Sequence, residues 1–174
     1  ETMPCLIGTA YWPFKDFSTP VRPDNPVPYV NQKGVVERDF TPKESYYVFQ
    51  SYWTEKPMIH IYGHTWSVRW GEKDDRKESL VYSNCDELEL FVNGVSQGVK
   101  RRNSQDYAAA GLRWNCVYQE GMNEIRAVGV KKKEKKEVSD VIRQEYQTAK
   151  WDKEAACQVS LLSEEGDTAL VQVQ

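Results

Sequence analysis

The amino-acid sequence predicts a mainly β protein built around an immunoglobulin-like antiparallel β-sandwich of about seven strands. Three observations lead to this. From Met58 onward apolar residues recur with a period of two, as in Met58-Ile59-His60-Ile61-Tyr62 and in Leu88, Leu90 and Val92. That is the alternation of a strand with one buried face. Asn93-Gly94 then interrupts the pattern with two residues that tolerate positive φ, the signal of a two-residue hairpin turn. Further turn residues divide the chain beyond it into short strands, at the cadence of a sandwich of about 95 residues.

Each element follows from local chemistry. Residues 6–17 are apolar and aromatic and are expected to form a buried strand that leads into a loop lined with rings. Pro20, Pro23, Pro26 and Pro28 remove N–H donors and fix φ, so a long irregular loop follows. Thr41-Pro42-Lys43-Glu44 reads as a helix start: Thr41 caps, Pro42 takes the first helical position and Glu44 completes a capping box. The helix is expected to reach Trp53 and to bury Tyr46, Tyr47, Phe49, Gln50 and Trp53 on one face. Seven strands are then expected at residues 58–62, 78–82, 88–92, 95–100, 112–118, 123–130 and 138–146. Residues 157–162 and 168–173 read as a hairpin, which is marginal alone and so suggests the opening of a further β domain. The expected divisions are 1–57, 58–151 and 152–174.

Composition excludes several functions. A net charge of −3 and a pI near 5.5 argue against nucleic-acid binding, which needs a basic face to displace counterions from phosphate. The lysines of residues 131–136 are interrupted by Glu134 and read as a solvated turn. No run approaches the roughly 18 apolar residues of a membrane span. The amino end carries no basic region followed by an apolar run, so no compartment can be read from it. Cys5, Cys85, Cys116 and Cys157 include no C-x-x-C pair, and buried thiols are expected. A Cys85–Cys116 bridge would need a Cα approach that spacing alone does not give. His60 and His64 would share one strand face but stand about 13 Å apart by the strand rise, too far to share an ion. No metal or cofactor is expected. Trp66, Trp70, Trp114 and Trp151 could form a carbohydrate-binding platform, but packing is expected for at least two of them.

The amino-terminal block carries a family resemblance. Gly8-Thr9-Ala10-Tyr11-Trp12-Pro13-Phe14-Lys15-Asp16-Phe17, then Asn31-Gln32-Lys33-Gly34, then Arg38-Asp39-Phe40-Thr41-Pro42-Lys43 with Tyr46, Tyr47 and Tyr52-Trp53, resemble the end of the catalytic barrel in glycoside hydrolase family 2. Glu89-Leu90-Phe91-Val92-Asn93-Gly94 is similar to a hairpin in the sandwich domains that follow that barrel. The resemblance implies that residues 1–57 supply the last strand, loop and helix of a (β/α)8 TIM barrel. It also implies a retaining β-glycosidase, with two glutamates about 5–5.5 Å apart as acid/base and nucleophile. Both are expected upstream of Glu1, because a complete barrel takes roughly 250 residues. The chain alone is therefore expected to be an inactive fragment.

Within the block the resemblance implies substrate-binding roles for Trp12, Asn31 and Lys33. Trp12 would sit at the barrel rim, where an indole can stack on a sugar face; the bland alternative is a core tryptophan. Asn31 and Lys33 match an N-x-K pair that in β-glucuronidases holds the substrate carboxylate, though N-x-K-G also occurs in relatives assigned to neutral sugars. Lys15 and Asp16 could equally make a local ion pair. The expected parent is a β-galactosidase, with β-glucuronidase as the alternative. A non-catalytic carbohydrate-binding or structural sandwich is the reading of another class. The expected partner is a β-glycoside substrate, with neither nucleic acid nor membrane, and self-association through the ends of the chain is expected. The resemblance suggests a periplasmic or secreted parent.

Overall fold

The computed structural model describes residues 5, 7–21, 23–24, 26–102, 111–133, 136–148, 159–165 and 168–173. Among them the fold is mainly β, with one short helix and no closed barrel. The elements are β1 (Phe17–Ser18), β2 (Val30–Asn31), α1 (Glu44–Trp53), β3 (Ile59–Ile61), β4 (Val68–Trp70), β5 (Arg76–Ser83), β6 (Glu87–Val92), β7 (Val95–Arg101), β8 (Leu112–Val117), β9 (Gly121–Lys131), β10 (Lys136–Gln147), β11 (Val159–Glu165) and β12 (Thr168–Val173).

Two sheets enclose one core. The first has the order β4-β10-β9-β6-β7 and the second β3-β5-β8. Ile61, Val81, Trp114 and Cys116 of the second sheet meet Leu88, Leu90, Val92, Ile125, Ala127 and Ile142 of the first. Alternation explains the contact: along β6 the even-numbered leucines and Val92 are buried, while Glu87, Glu89 and Phe91 face outward and are half-buried. β6 turns into β7 through Asn93 at φ 52° and Gly94 at φ 78°, both in the left-handed region the turn requires. Asn93 also ties this hairpin to β9. Its Nδ2 donates to Asn123 Oδ1 at 2.9 Å, and its Oδ1 accepts from the Glu124 amide at 2.9 Å. Asn123 is fully buried, and its side chain also bonds the Gln119 amide, the Gln119 carbonyl and the Gly121 carbonyl. A bulge sets residues 97 and 98 of β7 against Leu90, and the Gly98 carbonyl accepts the Trp114 indole N–H at 3.0 Å.

Several expectations are corrected. Among the described residues the two sheets contain eight strands where about seven were expected, because Val68–Trp70 pairs parallel with residues 145–147 of β10, making one pairing in an otherwise antiparallel sheet parallel. A three-residue strand whose partner lies so far along the chain leaves no local pattern. Residues 7–12 form no strand and are exposed, since nothing in the described chain pairs with them on either side. The helix begins at Glu44, with Lys43 extended at φ −92° and ψ 170°. Thr41 does not cap it. Its amide is held by Asp39 Oδ1 at 2.9 Å, and the Lys43 amide donates to the Val35 carbonyl at 3.1 Å, so residues 41–43 run extended along residues 35–37. The helix face is only partly covered: Ser51 is its buried residue, and Trp53 is 76% exposed. β11 and β12 pair only with each other among the described residues.

Candidate functional site

The three residues singled out by resemblance lie around the short β1–β2 ladder. Phe17 of β1 pairs with Asn31 of β2, and the Trp12 ring packs against Phe17 at 5.4 Å between centroids. Trp12 itself is 72% exposed, which rules out the core role within this chain. Tyr11, next to it, donates its hydroxyl to the Lys33 carbonyl at 2.8 Å. Asn31 is buried at the end of β2, and its Oδ1 accepts the Lys33 amide at 3.1 Å. The amide of the side chain is thereby oriented, with Nδ2 as its donor end. Lys33 is exposed. An oriented amide donor beside an exposed ammonium suits an anionic oxygen pair.

Beneath this turn lies a buried carboxylate. Asp16 accepts the Gly34 amide at 2.7 Å and the Lys43 ammonium at 2.8 Å and 2.7 Å on its two oxygens. Burial works to raise its pKa, but the Lys43 ammonium and the Gly34 N–H outweigh this and hold it below the usual aspartate value. A Cβ on Gly34 would stand 2.3 Å from the Asp16 nitrogen, so only glycine fits. Asp16 thus pairs with Lys43 and not with its neighbour Lys15, whose ammonium sits 3.8 Å above the Phe40 ring. Sequence spacing gave no sign of the Lys43 partnership, which spans 27 residues.

A second polar cluster joins α1 to both sheets. His60 and His64, expected about 13 Å apart on a continuous strand, are stacked with ring centroids at 4.5 Å and planes 13° apart. The strand ends at Ile61 and Gly63 turns the chain back at φ 99°. His60 Nε2 meets Glu44 Oε2 at 2.9 Å, His64 Nε2 meets Asp140 Oδ2 at 2.7 Å, and Tyr47 stacks on the other face of His60 at 3.5 Å. His60, His64 and Asp140 hold ligand atoms within 4.8 Å of one another. Near-parallel stacked rings, however, aim their in-plane lone pairs side by side rather than at one point, and a carboxylate already faces each Nε2. The cluster reads as two histidine–carboxylate pairs that fasten α1 and β10 to β3. Burial pushes the His60 pKa down, and Glu44 only partly offsets this.

The three described tryptophans of the expected platform stand in different settings. Trp114 is in the core, Trp66 stands partly exposed edge-on to Tyr62, Trp70 is half-buried, and Trp151 lies outside the described residues. Cys85 and Cys116 are buried thiols with no bridge between them. Tyr11, Phe14, Tyr46, Phe49 and Trp53 line an apolar groove of about 380 Å³ between the amino-terminal arm and α1. Trp12, Asn31 and Lys33 do not line this groove. No helix among the described residues is long and apolar enough to cross a membrane.

Comparison with known proteins adds an independent line. A family profile described as a domain of unknown function, DUF4982, matches residues 77–138. A Formosa agariphila protein provisionally named a β-glucuronidase is 50% identical over 145 residues, which is 83% of this chain and 18% of that protein. β-Galactosidase BoGH2A of Bacteroides ovatus is 37% identical over 94 residues, 54% of this chain and 10% of that enzyme. The crystal structure of Parabacteroides merdae β-glucuronidase is 96% identical, with a TM-score of 0.82, covering 99% of this chain and 22% of that one. The chain therefore spans no more than about a fifth of the length of these relatives.

Proposed function

The chain belongs to glycoside hydrolase family 2, and from this premise we propose that it is a segment of a retaining β-glucuronidase. The carrying observation is the Asn31–Lys33 turn, whose oriented amide and exposed ammonium suit an anionic oxygen pair. In this reading Lys33 and the Asn31 Nδ2 bind the glucuronate carboxylate through charge-assisted hydrogen bonds, and Trp12 packs on the sugar ring. The two catalytic carboxylates lie in the remainder of the protein. The 96% identity with the Parabacteroides merdae enzyme supports glucuronidase over the galactosidase expected from sequence. BoGH2A keeps a galactosidase as the second reading. We also assign residues 1–57 to the last β/α unit of a barrel, residues 58–151 to an immunoglobulin-like sandwich and residues 152–174 to the opening of a further β domain.

The test is hydrolysis of paired aryl β-glucuronide and β-galactoside substrates by the full-length protein. Wild type should prefer the glucuronide. Lys33→Ala should lower kcat/KM for the glucuronide on the order of 100-fold and change the galactoside value far less. Equal losses on both substrates would mean that Lys33 holds the loop instead of reading a carboxylate. The 174-residue chain alone should hydrolyse neither.

A further inference from the structure

We propose that Asp16 and Lys43 are positioning residues for substrate recognition: their ion pair sets the 31–34 turn so that Asn31 and Lys33 meet a carboxylate on the sugar. This inference rests on the glucuronide reading and names the device that makes that site selective.

The geometry converges on the two residues that flank Lys33. Gly34, on one side, donates its amide to Asp16 Oδ1 at 2.7 Å. Gln32, on the other, accepts from the Lys43 ammonium at 3.0 Å. The same ammonium spans both Asp16 oxygens, so a single ion pair grips the backbone before and after Lys33. Lys33 itself is fixed at both of its own peptide groups, its amide by Asn31 Oδ1 and its carbonyl by the Tyr11 hydroxyl. Gly34 packs so closely on Asp16 that any side chain there would displace the turn. The exposed Lys33 side chain is thus carried on a backbone hydrogen-bonded at residues 32, 33 and 34.

A purely structural role is the competing account. Replacing a buried ion pair by apolar residues of similar volume is often neutral or stabilising, so stability alone does not call for charges here. Directed hydrogen bonds to the peptide groups at residues 32 and 34 do call for polar partners, because an apolar pair could not orient the turn. A site displaced by about 1 Å can lose on the order of 100-fold in rate or binding. The two accounts differ in which substrate suffers.

The experiment measures KM and kcat for aryl β-glucuronide and aryl β-galactoside with full-length wild type, Asp16→Asn, Lys43→Gln, Gly34→Ala and, as reference, Lys33→Ala, with melting temperatures alongside. Gly34→Ala pushes the turn without altering either charge and serves if Asp16→Asn does not fold. Expected for each positioning variant is a rise in glucuronide KM on the order of 10- to 100-fold, with a smaller change in kcat and a smaller change in galactoside KM. Equal losses on both substrates, or a fall in melting temperature with no change in substrate preference, would overturn the proposal. If Lys33→Ala removes the preference and the positioning variants keep it, the positioning proposal alone fails. If wild type prefers the galactoside, the glucuronide reading fails and this inference falls with it.

Discussion

Residues 7–57 and residues 58–147 satisfy their apolar side chains in opposite ways. In the second region the large aliphatic residues of two sheets close on each other, and Val81, Leu90 and Ala127 are wholly buried. In the first, Tyr11, Trp12, Phe14 and Trp53 are exposed, while the buried residues include Asp16, Asn31 and the small pair Val35 and Val36. One region carries a core of its own; the other is held by hydrogen bonds and leaves its rings outside. Its order therefore depends on a few directed contacts, above all the Asp16–Lys43 pair, and its aromatic surface is available to whatever covers or binds it.

This contrast can be broken by mutation. The largest effect on stability is expected from Leu90→Ala, which opens a cavity between the sheets and should cost about 2–5 kcal/mol in denaturant unfolding of the chain. Asn123→Ala should cost somewhat less, about 1–3 kcal/mol, since it leaves the Gln119 amide and carbonyl and the Asn93 amide group without their partner. His60 gives a smaller, pH-dependent effect. Its folded pKa lies below the ordinary value of about 6.5, so the unfolded chain takes up the proton first, and stability falls as pH drops below about 6.5 and levels off under the folded pKa. Melting temperatures from pH 8 to 5 should show this slope in wild type and a shallower one in His60→Gln. The smallest change, within about 0.5 kcal/mol, is expected from Trp12→Ala, whose ring is largely in solvent. In the full-length protein the same variant should lower glucuronide turnover well beyond any change in melting temperature; matched losses would assign Trp12 to packing.

What could be read from sequence was what is encoded within a few residues. The period of two along β6 and the positive-φ pair Asn93-Gly94 are local, and both appear where the pattern puts them. Thr41-Pro42 carries an equally clear local signal for a helix start, yet backbone pairing of residues 41–43 with residues 35–37 competes for the same groups and wins. The expected separation of His60 and His64 holds for an extended chain, and one glycine at φ 99° cancels it. Asp16 with Lys43 and β4 with β10 join residues far apart in sequence, and no periodicity reports such pairs. Trp12, Asn31 and Lys33 stood out only as parts of a family block, because nothing in their own spacing distinguishes a binding turn from an ordinary loop.

The tethering of Asn93 also bears on how the protein ages. An asparagine followed by glycine is the dipeptide most prone to deamidation, since the unhindered glycine nitrogen can attack the side-chain carbonyl carbon and close a succinimide ring. Here both ends of that side chain are engaged with β9, its nitrogen on Asn123 and its oxygen on the Glu124 amide. Ring closure would have to break both contacts and twist the hairpin out of register. Chemical lifetime at this position is thereby coupled to folding: an intact sheet shelters the amide, and each excursion that opens the edge of the sheet exposes it to irreversible conversion into an acid.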